Sequence, residues 1–220
     1  MNQKLLAEAI GTAFLLIGVV GSGIMGASLS EGNIAIALLA NAIATGCILY
    51  AIITTLGPIS GAHFNPAVTL AFLLRKQITG AHALQYIAVQ IPAAIIGVWI
   101  AHLMFDLSIL QSSTTPRSGV NLWVSEIVAT FGLLFVIFGG IRHRPDAVPM
   151  LVALYITGAY WFTSSTSFAN PAVTIGRTLT DTFSGITGAH APAFIAAQLV
   201  GAVIALAVMR GLGADQAGPG

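Results

Sequence analysis

Two asparagines carry the most specific chemistry in this chain. Asn65 and Asn170 each open the pentapeptide Asn-Pro-Ala-Val-Thr, at 65–69 and 170–174. Asn is a strong helix N-cap, and Pro is favoured at the first helical position. Asn65-Pro66-Ala67 and Asn170-Pro171-Ala172 therefore predict two helix starts. In each, the Asn oxygen caps the backbone, its NH2 stays free to donate, and Ala allows close contact. Glu8 and Glu126 lie in apolar runs, where a bare carboxylate costs several kcal/mol. An unpaired acid in such a place signals proton coupling. Gln90 and Gln198 also interrupt apolar runs and read as hydrogen-bonding glue between helices. No nucleophile–base pair appears, so no catalytic residue is assigned and an enzyme is not expected. His82, His102, His143 and His190 lack ligand spacing, and Cys47 is the only cysteine, so neither a metal, a cofactor nor an internal disulfide is expected.

The elements that must hold these residues follow from composition. The 220-residue chain is 56% hydrophobic and 7% charged, against about 25% charged in soluble domains. The reading is a polytopic, all-α membrane protein in a lipid bilayer. Apolar runs at 5–26, 34–56, 83–105, 121–140, 147–163 and 190–210 predict six spans. The first continues to residue 26 without a cleavage site, so it reads as a span rather than a signal peptide. Lys4, Arg75, Lys76, Arg142, Arg144 and Arg210 fall on one side of this layout, and Arg117 and Arg177 on the other. Lys and Arg concentrate on the cytoplasmic side, which places both termini there. No basic tract exists to bind nucleic acid.

The chain reads as one channel domain over 1–220, with repeats at about 1–105 and 121–210 and a linker at 106–120. Glu8 pairs with Glu126, Asn65 with Asn170, and Gln90 with Gln198, in the same order. Three spans per half invert the second half, a plan common in transport proteins. The runs that follow each Asn-Pro-Ala, 66–75 and 171–179, rise only about 15 Å. That is half of a hydrocarbon core of about 30 Å. Two half-helices from opposite sides meet near the midplane, and their loops must be buried or line water. Their facing positive dipole ends repel cations and orient water by its oxygen, while neutral solutes pass.

With six spans, "ISGAHFNPAVT" and "FANPAVTIGRT", nearly the whole chain resembles the aquaporin and aquaglyceroporin family, the major intrinsic proteins. The resemblance implies a right-handed six-helix bundle with two re-entrant half-helices, and a homotetramer with one pore per subunit. It gives Glu8 and Glu126 a supporting role, accepting hydrogen bonds from the N–H groups of the re-entrant loops. It also implies a second constriction, the selectivity filter. Ungapped counting from Asn65 and Asn170 places Thr45, Gly158, Ser167 and Val173 there. The family usually has an Arg where this chain has Val173. With no bulky ring and no cation in the set, the filter reads as wide. Water, glycerol, urea and neutral metalloid hydroxides such as arsenous acid should fit. Bacterial members with Val at this position resemble a branch tied to arsenic resistance that moves trivalent or methylated arsenic species.

Arg177 stands one turn beyond Val173 and has two readings. Its guanidinium leans back toward the filter from the outer vestibule, or it pairs with Asp181, four residues on. His63 lies at the cytoplasmic approach, as a loop residue or as a proton-sensitive gate. Trp123, Tyr160 and Trp161 read as interface anchors, and Cys47 as buried among spans. Two other functions compete with a passive pore: a proton-coupled carrier using Glu8 or Glu126, and a closed structural tetramer.

Overall fold

The structure is a computed structural model that describes residues 2–213. Both ends of the expected 1–220 domain, and so both chain termini, lie outside the described residues. The described residues form eight α-helices and no strand: α1 Gln3–Leu29, α2 Ile34–Ser60, α3 Pro66–Leu74, α4 Gly80–Met104, α5 Val120–His143, α6 Val148–Phe162, α7 Pro171–Arg177 and α8 Ala191–Gly211. Helices α1, α2, α4, α5 and α8 are long and apolar enough to cross a membrane, α8 being counted with the 3-10 turn Gly188–His190. The sixth, α6, has 15 residues and rises only about 22 Å. A 3-10 turn at Pro145–Ala147 leads into it.

The packing repeats along the chain. α1 packs on α2 and α4, and α5 packs on α6 and α8. The halves join through α2 against α6, and each short helix also reaches across, α3 to α8 and α7 to α4. Close approach needs small residues. A Cβ on Gly97 would collide with the Ala13 carbonyl, and one on Gly201 with the Ile127 carbonyl. These two contacts seat α4 on α1 and α8 on α5.

The two half-helices are built alike. Asn65 Oδ1 accepts from Ala67 N at 2.8 Å. Asn170 Oδ1 accepts from Ala172 N at 2.9 Å and Val173 N at 3.3 Å. Pro follows at the first helical position in both, where its missing N–H costs nothing. The preceding loops share an uncommon backbone. Ala62 and Phe64 in one, Ser167 and Ala169 in the other, are left-handed, with φ between 47° and 51°. Non-glycine residues stay there only when their surroundings hold them.

Candidate functional site

What holds the loops is a carboxylate behind each. Glu8, fully buried, accepts from His63 N at 2.9 Å, Phe64 N at 2.7 Å, Ser60 Oγ at 2.7 Å and Gln90 Nε2 at 2.8 Å. Glu126, equally buried, accepts from Phe168 N and Ala169 N, both at 2.9 Å, and from Gln198 Nε2 at 2.6 Å. Each Gln also donates to a half-helix threonine, Gln90 to Thr69 and Gln198 to Thr174. Backbone N–H groups that face no helix partner thus end on charged acceptors, the strong kind of hydrogen bond. Neither carboxylate lines the cavity described next.

The loops also lock to each other. Asn65 Nδ2 donates to the Ala169 carbonyl, and Asn170 Nδ2 to the Phe64 carbonyl, each at 2.8 Å. One proton of each NH2 is therefore committed, not free as the sequence alone implied, and one remains. Ala67 and Ala172 are fully buried, with Pro66 and Pro171 beside them.

A cavity of about 570 Å³ runs past both asparagines. Its helical walls are stripes at four-residue spacing: Thr45, Leu49, Ile53 and Gly57 on α2; Val68 and Phe72 on α3; Leu133, Ile137 and Ile141 on α5; Val148, Val152, Ile156 and Tyr160 on α6; Val173 and Arg177 on α7. Such spacing keeps side chains on one helix face. The lining is mostly apolar, with polar groups at Thr45, Thr54, His63, Asn65, Asp146, Tyr160, Ser167, Asn170 and Arg177. His63 lies tilted against Phe72, ring centroids 4.4 Å apart, and its Nδ1 lies 3.1 Å from Thr69 Oγ1.

Of the four expected filter residues, Thr45, Ser167 and Val173 line this cavity, and Gly158 does not. Gly158 is exposed on the opposite face of α6. Two residues on, about 200° around the helix, Tyr160 is 3% exposed and lies in the cavity wall. Its hydroxyl is 3.2 Å from Thr45 Oγ1. Counting back from Asn170 crosses the end of α6 and an irregular loop, so the count lost its register. A bulky ring is present after all. The stripe Val148–Val152–Ile156–Tyr160 was the signal that finds it. Tyr160 is likewise no interface anchor, whereas Trp161 is 48% exposed. Cys47 is exposed, not buried among spans.

Arg177 is 2% exposed and lines the same cavity. Its Nε donates to the Ser184 carbonyl, and its Cζ lies 3.4 Å over the centroid of the Phe168 ring. A desolvated contact of this kind is worth about 2 kcal/mol. Arg117 reaches that ring too, at 5.2 Å, and its Nε donates to the Gly185 carbonyl. The proposed ion pair with Asp181 does not form. α7 ends at Arg177, so the four-residue helical rule no longer applies. Asp181 is exposed and accepts from Thr114 N at 2.8 Å and Thr114 Oγ1 at 2.9 Å. These bonds hold its carboxyl below the usual carboxylate range. Among the described residues no cluster of metal-ligating side chains occurs.

The model of the family described as "Major intrinsic protein" matches residues 1–164 and 146–218. An aquaglyceroporin of Rhizobium meliloti, AqpS, is 53% identical over 212 residues, covering 96% of this chain and 91% of its own length. The aquaporin AqpM of Methanothermobacter marburgensis is 29% identical, covering 93% and 95%. The crystal structure of the Plasmodium falciparum aquaglyceroporin superposes with a TM-score of 0.75 at 16% identity, covering 94% of each chain.

Proposed function

Because the chain belongs to the major intrinsic protein family, we propose that it is a passive transmembrane channel for water and small neutral solutes. The solutes are glycerol, urea and metalloid hydroxides such as arsenite, extending to methylated arsenicals. One observation carries this reading: a single cavity lined by Asn65 and Asn170, the asparagines of both Asn-Pro-Ala segments, and by Val173, which follows the second. Val173 supplies no donor and less bulk than an arginine, so that wall is wider and less polar. Asn65 and Asn170 keep one amide proton each for a passing oxygen. Water follows because its hydrogen bonds are replaced, and larger polyols because space permits.

The pore works as one unit over 1–220 and assembles as a homotetramer in the bacterial cytoplasmic membrane, with both termini inside. It needs no cofactor and performs no chemistry. The bonds at Glu8 and Glu126 favour loop support over proton carriage: each carboxylate's acceptors are turned to the loops and to Gln90 or Gln198, outside the cavity. The experiment is stopped-flow light scattering on proteoliposomes with water, glycerol, urea and arsenite gradients. Flux should be linear in gradient, should not saturate, and should ignore a pH difference. Saturation or drive by a pH gradient would replace the pore with a carrier. No flux above empty vesicles would leave a closed tetramer.

A further inference from the structure

An arginine-free position at Val173 poses a physical problem: what excludes cations where the family's charge is missing? The charge has moved rather than vanished. Arg177 lies one helical turn, about 5.4 Å, along α7 from Val173. It is 2% exposed, in the same cavity wall as Tyr160 and Val173. Two contacts fix it there, the Ser184 carbonyl at Nε and the Phe168 ring beneath its Cζ, and it shares a cavity stripe with Val173.

No carboxylate contacts it directly. Among the described residues Arg177 makes no ion pair; Asp181 is engaged by Thr114, and the Glu126 oxygens by Phe168 N, Ala169 N and Gln198. Its Nη1 and the Ser167 hydroxyl are buried without a protein partner. Buried polar atoms without a partner are costly, and here a permeating oxygen can meet that need.

We propose that Arg177 is the specificity-determining and cation-excluding residue of this channel, and that Phe168 is its positioning residue. The inference rests on the channel reading above. A cation passing near a fixed guanidinium is repelled through space, an effect that grows as water is excluded. Set one turn beyond Val173, the charge does so without filling the space that Val173 leaves. Charge selection and pore width are thereby separated. Larger neutral solutes pass, and protons and metal cations do not.

The test uses the full chain in proteoliposomes and reads the ratio of cation flux (protons, then sodium) to water flux. The ratio cancels the number of folded channels. Arg177→Leu should raise it at least about tenfold, and Arg177→Lys, which keeps a charge, should hold it nearer the parent. Phe168→Leu should raise it by a smaller factor, and Phe168→Tyr, which restores a ring, should reverse that rise. If Arg177→Leu gives no water-conducting vesicles, the Phe168 pair of variants decides. Parent-like ratios in both Leu variants overturn the proposal while leaving the channel intact. A parent that conducts no water overturns the channel reading, and this proposal with it.

Discussion

In the unit that leads into α3, the residue two before the asparagine is His63, and it lies against Phe72, seven after. In the unit that leads into α7, the same two places hold Phe168 and Arg177, again in contact, with ring and cation-forming group exchanged. Around this pair the framework repeats: the carboxylate, the glutamine, the left-handed loop residues and the reciprocal asparagine bonds, with Ser60 an added donor to Glu8 alone. The repeated parts satisfy backbone groups and set the architecture. The exchanged pair faces the cavity. An imidazole holds no fixed charge at neutral pH, whereas a guanidinium keeps its own, so of the two exchanged pairs only Phe168 with Arg177 carries a permanent cation.

The largest effects should come from the shared parts. Glu8→Ala leaves two buried loop N–H groups, Ser60 and Gln90 without their acceptor, and Glu126→Ala leaves two N–H groups and Gln198. At about 1–3 kcal/mol for each orphaned group, both should be severely destabilised, Glu8→Ala more so. Thermal unfolding in detergent measures this. A milder loss for Glu8→Ala than for Glu126→Ala would break the symmetry account.

A middle-sized effect separates the two candidate wall residues of α6. Tyr160→Ala should raise the glycerol-to-water permeability ratio about fivefold, equivalent to about 1 kcal/mol of barrier. Gly158→Ala should leave it unchanged, since its added Cβ meets only Phe162 at an ordinary 3.8 Å. The opposite ranking would return Gly158 to the filter.

The smallest effect concerns Asp181, whose tether to Thr114 belongs to the α7 unit. Its folded carboxyl sits below the usual value because of Thr114. The stability it adds is present above the unfolded value and is lost as pH falls through the folded one. Because the group is exposed, Asp181→Asn should lower the unfolding midpoint only slightly at neutral pH. That gap should close on acidification. A gap that widens in acid would mean the contact is not the source.

Much of this was legible beforehand, where a local rule and a periodic pattern agreed. The six apolar runs and the start of each half-helix are of this kind, because Asn-Pro fixes a helix start chemically. The losses at the site came where the chain leaves a helix. Tyr160 was displaced by a count that crossed the α6 terminus, and the Arg177–Asp181 pairing assumed a helix that stops at Arg177. The contact of Arg177 with Phe168 depends on a loop backbone with left-handed residues, and side-chain spacing carries no trace of it.

The central claim is that Val173 leaves the α7-side constriction open to solutes larger than water. Val173→Arg in the stopped-flow assay tests it most directly. The added side chain should cut glycerol and urea permeability by more than about tenfold relative to water. A Val173→Arg channel that admits glycerol as readily as the parent would contradict the account.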